Sequence, residues 1–198
     1  EQDFPCLYDI INGTHKLDSS IVKINEQLSL LPSNLRNQLL ESKITEKSIN
    51  QGSYFSRLLD ELDYDVVIFD TEPNLSKVNL MALAYSSLNI APVRLDKNSI
   101  DGLELLLNFI EMQSKEWPSM NLETKALING FDKRSQTEAL KKINDVMSLG
   151  VSTFDAAMRT DTSFVKAQDK HEIKKSTKAY EDISALTNEI LGLGKALH

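Results

Sequence analysis

The chain has 198 residues, of which 41% are hydrophobic and 26% charged, and its 29 acidic side chains against 22 basic ones give a net charge of −7. This is the composition of an ordinary globular domain, which excludes a disordered chain and a collagen-like repeat. No stretch reaches the roughly 18 consecutive apolar residues of a membrane-spanning helix. The single cysteine, Cys6, excludes an internal disulfide and an iron–sulfur site, and it favours a cytoplasmic location.

Four apolar runs are strand candidates. The run at residues 28–32 is the weakest, and the β-branched run Asp65–Asp70 is the strongest. Acids flank this second run, and its continuous apolar character predicts a strand buried on both faces of a parallel sheet. Two further candidates lie at residues 88–93 and 125–129. Because proline cannot donate to a central ladder, Pro32 and Pro92 are expected at strand ends.

Helical patterns separate these strands. In chain order they cover residues 54–62, 79–87, 100–110, 137–147 and 178–191. Ser99 is the predicted N-cap of the third helix, and Gly150 follows the end of the fourth. Strand–helix alternation predicts a doubly wound α/β fold, with a mostly parallel sheet flanked by helices. No linker or repeat interrupts the pattern, so residues 1–198 are expected to form a single domain.

The carboxyl ends of the strands are where an open parallel sheet binds its ligands. Asp70 ends the strongest predicted strand, where a carboxylate can hold hydrated Mg²⁺ against nucleotide phosphates. The alternative is that Asp70 merely caps the following turn. A phosphate-binding G-x-x-x-x-G-K-[ST] loop is absent from the sequence, since Gly194-Lys195 follows a helix and lacks the first glycine at position 189.

Six segments occur in the order found in one family. The block Tyr64–Leu75 (YDVVIFDTEPNL) resembles the "YDYIIIDxPPSL" segment of ParA-type (Soj-like) partition ATPases, relatives of MinD, and a helix follows it as in that family. The remaining similar segments are LYDII at 7–11, LSLLPS at 28–33, APV at 91–93 with DGL at 101–103, NGFDKR at 129–134 and RTDTSFVKA at 159–167.

The resemblance implies a deviant P-loop ATPase that forms a homodimer with ATP and Mg²⁺. Such a protein binds double-stranded DNA without sequence preference and segregates plasmid or chromosomal DNA with a ParB-like partner, so it would be associated with the nucleoid. In the family, the phosphate loop and the first two strands precede the segment that resembles Leu7–Ile11. We therefore expect that this chain, which opens without Met, lacks the loop and does not hydrolyse ATP alone.

The resemblance also implies roles for individual residues. Asp70 would be the catalytic aspartate on the Mg²⁺ side, and Thr71, Glu72 and Pro73 would belong to a switch segment. Glu72 stands where the family usually has proline, and the proline common before Arg159 is missing. The residues implied near the adenine of ATP are Asn129, Arg159 and Asp161.

Basic residues cluster late in the chain. The segment 159–178 has six basic and three acidic residues, a charge of +3 that leaves −10 for the rest. Such a cluster can neutralise phosphates in a salt-sensitive, sequence-independent way, although an ordinary solvated surface is the alternative. The implied DNA-binding residues are Lys133, Arg134, Arg159, Lys166, Lys174 and Lys175.

Two other functions remain open. A degenerate, non-enzymatic relative would keep the fold and serve as a protein-binding or regulatory module. A MinD-like relative that cycles on membranes usually ends in a basic amphipathic helix. The tail Asn188–His198 has only Lys195 as a strong base, so no membrane partner is expected.

Overall fold

The structure, a computed structural model, describes residues 4–42, 44, 62–116, 123–131, 136–170 and 172–194. The chain divides into two compact units, Glu1–Tyr85 and Ser86–His198, which are described separately. The helix predicted over residues 54–62 lies outside the described residues except for Leu62, which is not helical. That the two units form a single domain stays a prediction.

The first unit is built from short elements around a small apolar core. Its buried apolar side chains include Leu17, Leu40 and Met81. The 3₁₀ helix contacts both the first and the third α-helix. In chain order the elements are α1 (Leu7–Ile11), α2 (Leu17–Ser20), β1 (Val22–Lys23), β2 (Ser29–Leu30), the 3₁₀ helix (Leu35–Ser42) and α3 (Lys77–Tyr85).

The weak strand prediction at residues 28–32 is confirmed for Ser29–Leu30, which form β2. Strand β2 pairs antiparallel with β1 and does not join the parallel sheet. The turn between them is stabilised by Asn25, whose side-chain oxygen accepts the backbone N–H groups of Gln27 and Leu28 at 2.9 Å each. This local turn favours a hairpin with the nearest segment of chain.

The prediction of a doubly buried strand at Asp65–Asp70 is wrong for this structure. The segment forms no strand, and Val66 and Ile68 are 57% and 85% exposed. A strand buried on both faces needs neighbouring strands for its backbone groups and a layer on each face. The described part of the first unit pairs no strand with this segment.

The second unit contains the parallel sheet that the sequence predicts. Strand β3 pairs in parallel with β4, and β4 pairs in parallel with both β5 and β6. Intervening helices make this a strand–helix alternation with crossover connections. In chain order the elements are β3 (Asn89–Val93), α4 (Lys97–Glu116), β4 (Thr124–Phe131), α5 (Gln136–Ser148), β5 (Ser152–Thr153), β6 (Met158–Arg159), α6 (Thr162–Lys170) and α7 (Lys178–Gly194).

Helices cover both faces of this sheet because β4 is apolar on both sides. Ala126 and Ile128 pack into one cluster with residues of α4 and α5, whereas Leu127 packs into a second cluster with residues of α6 and α7. Alternate side chains of a strand point to opposite faces, so the run Ala126–Ile128 serves two cores. The doubly wound α/β prediction is confirmed.

The helix boundaries largely match the sequence patterns, with one different cap. Helix α4 begins at Lys97, and the carboxylate of Asp96 accepts the backbone N–H of Ser99 at 3.0 Å. Asp96 therefore caps this helix, and the predicted cap Ser99 lies inside its first turn. Gly150 follows the end of α5 with a φ of +80°, as a C-terminal glycine does. Pro92 is the fourth of five residues in β3, which pairs only with β4 among the described strands.

The start of α1 is fixed by a buried carboxylate. Asp9 accepts the backbone N–H of Cys6 at 2.8 Å and a hydrogen bond from the Arg36 guanidinium at 3.0 Å. The Cys6 N–H is the largest cause that lowers the pKa of Asp9, with Arg36 contributing. The same environment buries the Cys6 thiol, and desolvation raises the pKa of that thiol.

Asp9 should make the protein sensitive to acid. Because its pKa is lower in the folded chain, its contribution to stability is present at neutral pH and is lost as the pH falls below about 4. We expect Asp9→Asn to lower the free energy of unfolding by about 2 kcal/mol at pH 7 and by much less at pH 3. Urea denaturation at both pH values measures this. Asp63→Asn, at an exposed site, is the control, and equal losses at both pH values would contradict the assignment.

Candidate functional site

In the first unit, Asp70 and its neighbours line a cleft. The cleft has a volume of about 760 Å³ and is mostly apolar, with Leu30, Val66 and Ile68 among its lining side chains. Asp70, Thr71 and Glu72 add polar groups to its wall, and all three are exposed. The structure thus places the predicted aspartate and two of the three predicted switch residues on one surface.

The chain after Asp70 forms an ordered turn. The backbone N–H of Asn74 donates to the carbonyl of Glu72 at 2.8 Å, and the Asn74 side-chain oxygen accepts the backbone N–H of Ser76 at 3.1 Å. The Asn74 amide also donates to the Glu72 carboxylate at 2.9 Å. Glu72 therefore takes part in the turn through its side chain.

On this wall, Asp70 and Glu72 offer carboxylates to a magnesium ion. Within the described ranges, no group of three or more His, Cys, Asp or Glu side chains is arranged to hold a metal ion. Mg²⁺ retains several waters and often takes only one or two protein carboxylates beside the substrate phosphates, so Asp70 fits such a role. The sequence contributes no glycine-rich cradle for the phosphates themselves.

In the second unit, the three residues predicted near adenine lie near the carboxyl ends of the paired strands β4 and β6. Asn129 is exposed near the carboxyl end of β4 and pairs in register with Met158 of β6. The register shifts at Gly130, whose φ of +76° is a conformation that glycine adopts without strain. Arg159 follows in β6, and Asp161 comes two residues later.

Asp161 acts as a helix cap. Its carboxylate accepts the backbone N–H of Ser163 at 2.7 Å at the start of α6. This hydrogen bond is the largest cause that lowers the pKa of Asp161. The capping bond occupies part of the carboxylate that was predicted to contact a nucleotide.

Arg159 is held by the protein's own acids. Its guanidinium donates to both oxygens of Asp182 at 2.8 and 3.0 Å through Nε, and Nη2 lies 2.9 Å from the Glu181 carboxylate. The Arg159 backbone N–H also donates to Asp182 at 2.9 Å. Hydrogen bonding to Asp182 is the largest cause that raises the pKa of Arg159. These bonds join β6 to α7.

The described basic residues of the implied DNA-binding set differ in exposure. Lys166, Lys174 and Lys175 are exposed, whereas only 17% of the Arg159 side chain is. Lys133 and Arg134 lie outside the described residues. The DNA-binding role of the whole set stays a prediction.

Sequence patterns missed two groups that organise these segments. Asp182 is buried although charged, and its partner Arg159 lies 23 residues earlier in the chain. Asn79 donates from its side chain to the turn after Asp70. For Asp182, the sequence signal was a charged residue among the apolar positions of α7. For Asn79, there was no signal in the sequence.

Comparison with a family model identifies the first part of the chain. A family described as an AAA domain matches residues 1–124. The chain is 25% identical to a ParA family protein of Mycoplasma pneumoniae over 140 residues, which are 70% of this chain and 49% of that protein. It is 25% identical to the cell division protein PomZ of Myxococcus xanthus over 171 residues, 83% of this chain and 53% of PomZ. The chain spans about half the length of the curated relatives it matches.

Solved structures share the fold. The MinC:MinD cell division complex of Aquifex aeolicus matches with a TM-score of 0.71 at 16% identity, over 97% of this chain and 75% of that chain. An McdA–ATP complex of Cyanothece matches with a TM-score of 0.74 at 12% identity, over 98% and 77%. None of the helices described in this chain is long and apolar enough to cross a bilayer.

Replacing Arg159 tests its structural role. Arg159→Ala would leave the buried Asp182 without its charged partner, so we expect the melting temperature to fall by about 5–10 °C. Arg94→Ala, which removes an exposed arginine 3.6 Å from Asp96, should change the melting temperature little. Differential scanning calorimetry measures both. An unchanged melting temperature in Arg159→Ala would contradict the structural role.

Proposed function

Because the chain belongs to the AAA domain family and is similar to a ParA family protein and to PomZ, we propose that it is part of a partition ATPase that segregates or positions DNA. The family match over residues 1–124 is the observation that carries the proposal. In the proposed cycle, ATP and Mg²⁺ support a homodimer that binds double-stranded DNA non-specifically. A ParB-like protein would stimulate hydrolysis, and the complex would act at the nucleoid in the cytoplasm.

Asp70 is the proposed residue on the Mg²⁺ side. Its exposure on the cleft wall, beside Thr71 and Glu72, supports this assignment. A bound Mg²⁺ would neutralise phosphate charge. The residues themselves would orient the ligand: Asp70 by accepting hydrogen bonds from metal-bound water, and the switch segment, including Pro73, by fixing the backbone that follows.

Asn129 is the strongest of the three proposed adenine contacts. It is exposed near the carboxyl end of β4, and an amide can both donate to and accept from a base. Arg159 already donates to Asp182 and Glu181, and Asp161 caps α6, so their proposed contribution is to hold the loop beside Asn129.

The ATPase proposal predicts activity for the complete gene product. We expect its intact mass to exceed the 22.3 kDa of this chain, and we expect Mg²⁺-dependent ATP hydrolysis. The 198 residues alone should not hydrolyse ATP, because their sequence has no phosphate-binding loop. Asp70→Asn in the complete protein should lower kcat by about 100-fold. Phosphate release assays measure these rates.

Asp145→Asn, at an exposed position of α5, is the matched control and should leave kcat unchanged. Turnover by the isolated 198 residues above a protein-free background would refute the assignment of hydrolysis to a longer protein. A complete product of 22.3 kDa without hydrolysis would favour the alternative, a non-enzymatic protein-binding or regulatory module. The missing phosphate-loop motif in this sequence is the observation that keeps that alternative open.

The DNA-binding proposal predicts a salt-dependent effect of exposed lysines. Replacing Lys174 and Lys175 together by alanine should weaken binding equally to two unrelated duplexes. It should also reduce the slope of log K against log salt by about 1.8, because each lost phosphate contact contributes about 0.9. Fluorescence anisotropy across a salt series measures both. The control replaces Lys16 and Lys97, which are exposed elsewhere, and an equal effect of that pair would rule out a local site.

A further inference from the structure

One side chain holds the turn that follows Asp70. The side-chain amide of Asn79 donates to the backbone carbonyls of Glu72 and Asn74 at 2.7 Å each. The same nitrogen lies 2.9 Å from the side-chain oxygen of Asn74. Three oxygens therefore converge on one NH₂ group, which has two hydrogens to share among them.

Asn79 is itself fixed on an anchored helix. It lies in the first turn of α3, where its backbone N–H donates to the Ser76 hydroxyl at 3.2 Å. The following residues Leu80 and Met81 are buried. The Glu41 carboxylate accepts the backbone N–H of Lys77 at 2.9 Å and so holds the start of the helix. A rigid helix thus presents the amide to the turn.

The turn contributes to the wall of the proposed site. Glu72, Asn74 and Asn79 all line the same cleft as Asp70. The Glu72 carboxylate is fixed through Asn74, which Asn79 holds in turn. The Asn79 amide on α3 therefore fixes the backbone at Glu72, two residues after Asp70, and so sets the direction in which the chain leaves Asp70.

We propose that Asn79 is a positioning residue for the proposed Mg²⁺–nucleotide site and ties the switch segment Thr71–Pro73 to α3. Its role at that site rests on the proposed function, whereas its hold on the turn does not. All its partners on the turn are acceptors, so the position requires a donor. A carboxylate of the same shape would repel these oxygens when ionised and would donate one O–H when protonated.

Hydrogen exchange on this chain tests the hold on the turn. The backbone amides of Asn74 and Ser76 donate within the turn, so their exchange reports its opening. With Asn79→Ala we expect both to exchange about three to ten times faster, while interior amides of α7 are unchanged. Unchanged exchange at both amides would overturn the proposal.

A pH series separates positioning from general destabilisation. In Asn79→Asp, protection of the two amides, relative to their intrinsic rates, should be low at pH 7.5 and return as the pH falls to about 3.5, below the ordinary Asp pKa of about 3.9, whereas Asn79→Ala shows no such return. Asn108→Asp, at an exposed site of α4, is the matched control. If Asn79→Ala unfolds the chain, the Asn79→Asp series decides alone, and exchange that does not change with pH overturns the proposal.

Kinetics of the complete protein then test the link to the site. Asn79→Asp should lower kcat with the same pH dependence and change KM less, because the loss concerns orientation and not ground-state binding. A normal kcat across the pH range would overturn the positioning role at the site. If the unaltered complete protein hydrolyses no ATP, the proposed function fails, and the exchange result still decides whether Asn79 holds the turn.

Discussion

Two-sided burial of β4 is the constraint on which the second unit depends. Ala126, Leu127 and Ile128 are all buried, and their alternation sends side chains into a cluster on each face. A strand with only one apolar face would leave one layer of helices without a core. The strand is also tied to α7 by Lys125, which lies 3.2 Å from Glu189. Glu189 in turn accepts the backbone N–H groups of Asp155 and Ala156, so one carboxylate joins three segments.

The parts of the fold that the sequence predicts well depend on local pattern. The apolar stripe of α5 and the glycine after it locate the helix within one residue at either end. The run Asp65–Asp70 has an equally clear pattern, yet it is not a strand, because strand formation depends on neighbours far away in the chain. The composition of a segment shows which of its side chains favour burial. Whether another strand is present to pair with the segment depends on the tertiary structure.

The candidate site shows the same division. Motif order places Asn129 near the end of a strand, as the structure has it, but it places Asp70 at the end of a strand that does not form. It does not predict that Arg159 bonds Asp182, since that pair depends on how α7 packs against β6. In α7, Ala179 is fully buried and Tyr180 is 37% exposed, and Asp182, about one turn after Ala179, lies on the buried side. The burial of Asp182 is made possible by the arginine.

Charge distribution separates the two proposed activities. The segment 159–178 has a charge of +3, but one of its cations, Arg159, is largely buried and is neutralised within the protein by Glu181 and Asp182 of α7. The cations that remain for phosphate are exposed lysines on flexible stems, which act as point charges and recognise no base pattern. Any DNA affinity of this surface would therefore be electrostatic and sensitive to salt, and it would be independent of the nucleotide-side role proposed for Asn129. Arg159 joins β6 to α7 through its bonds to Asp182 and Glu181. Substitutions at this residue would therefore alter both proposed activities by disturbing the fold.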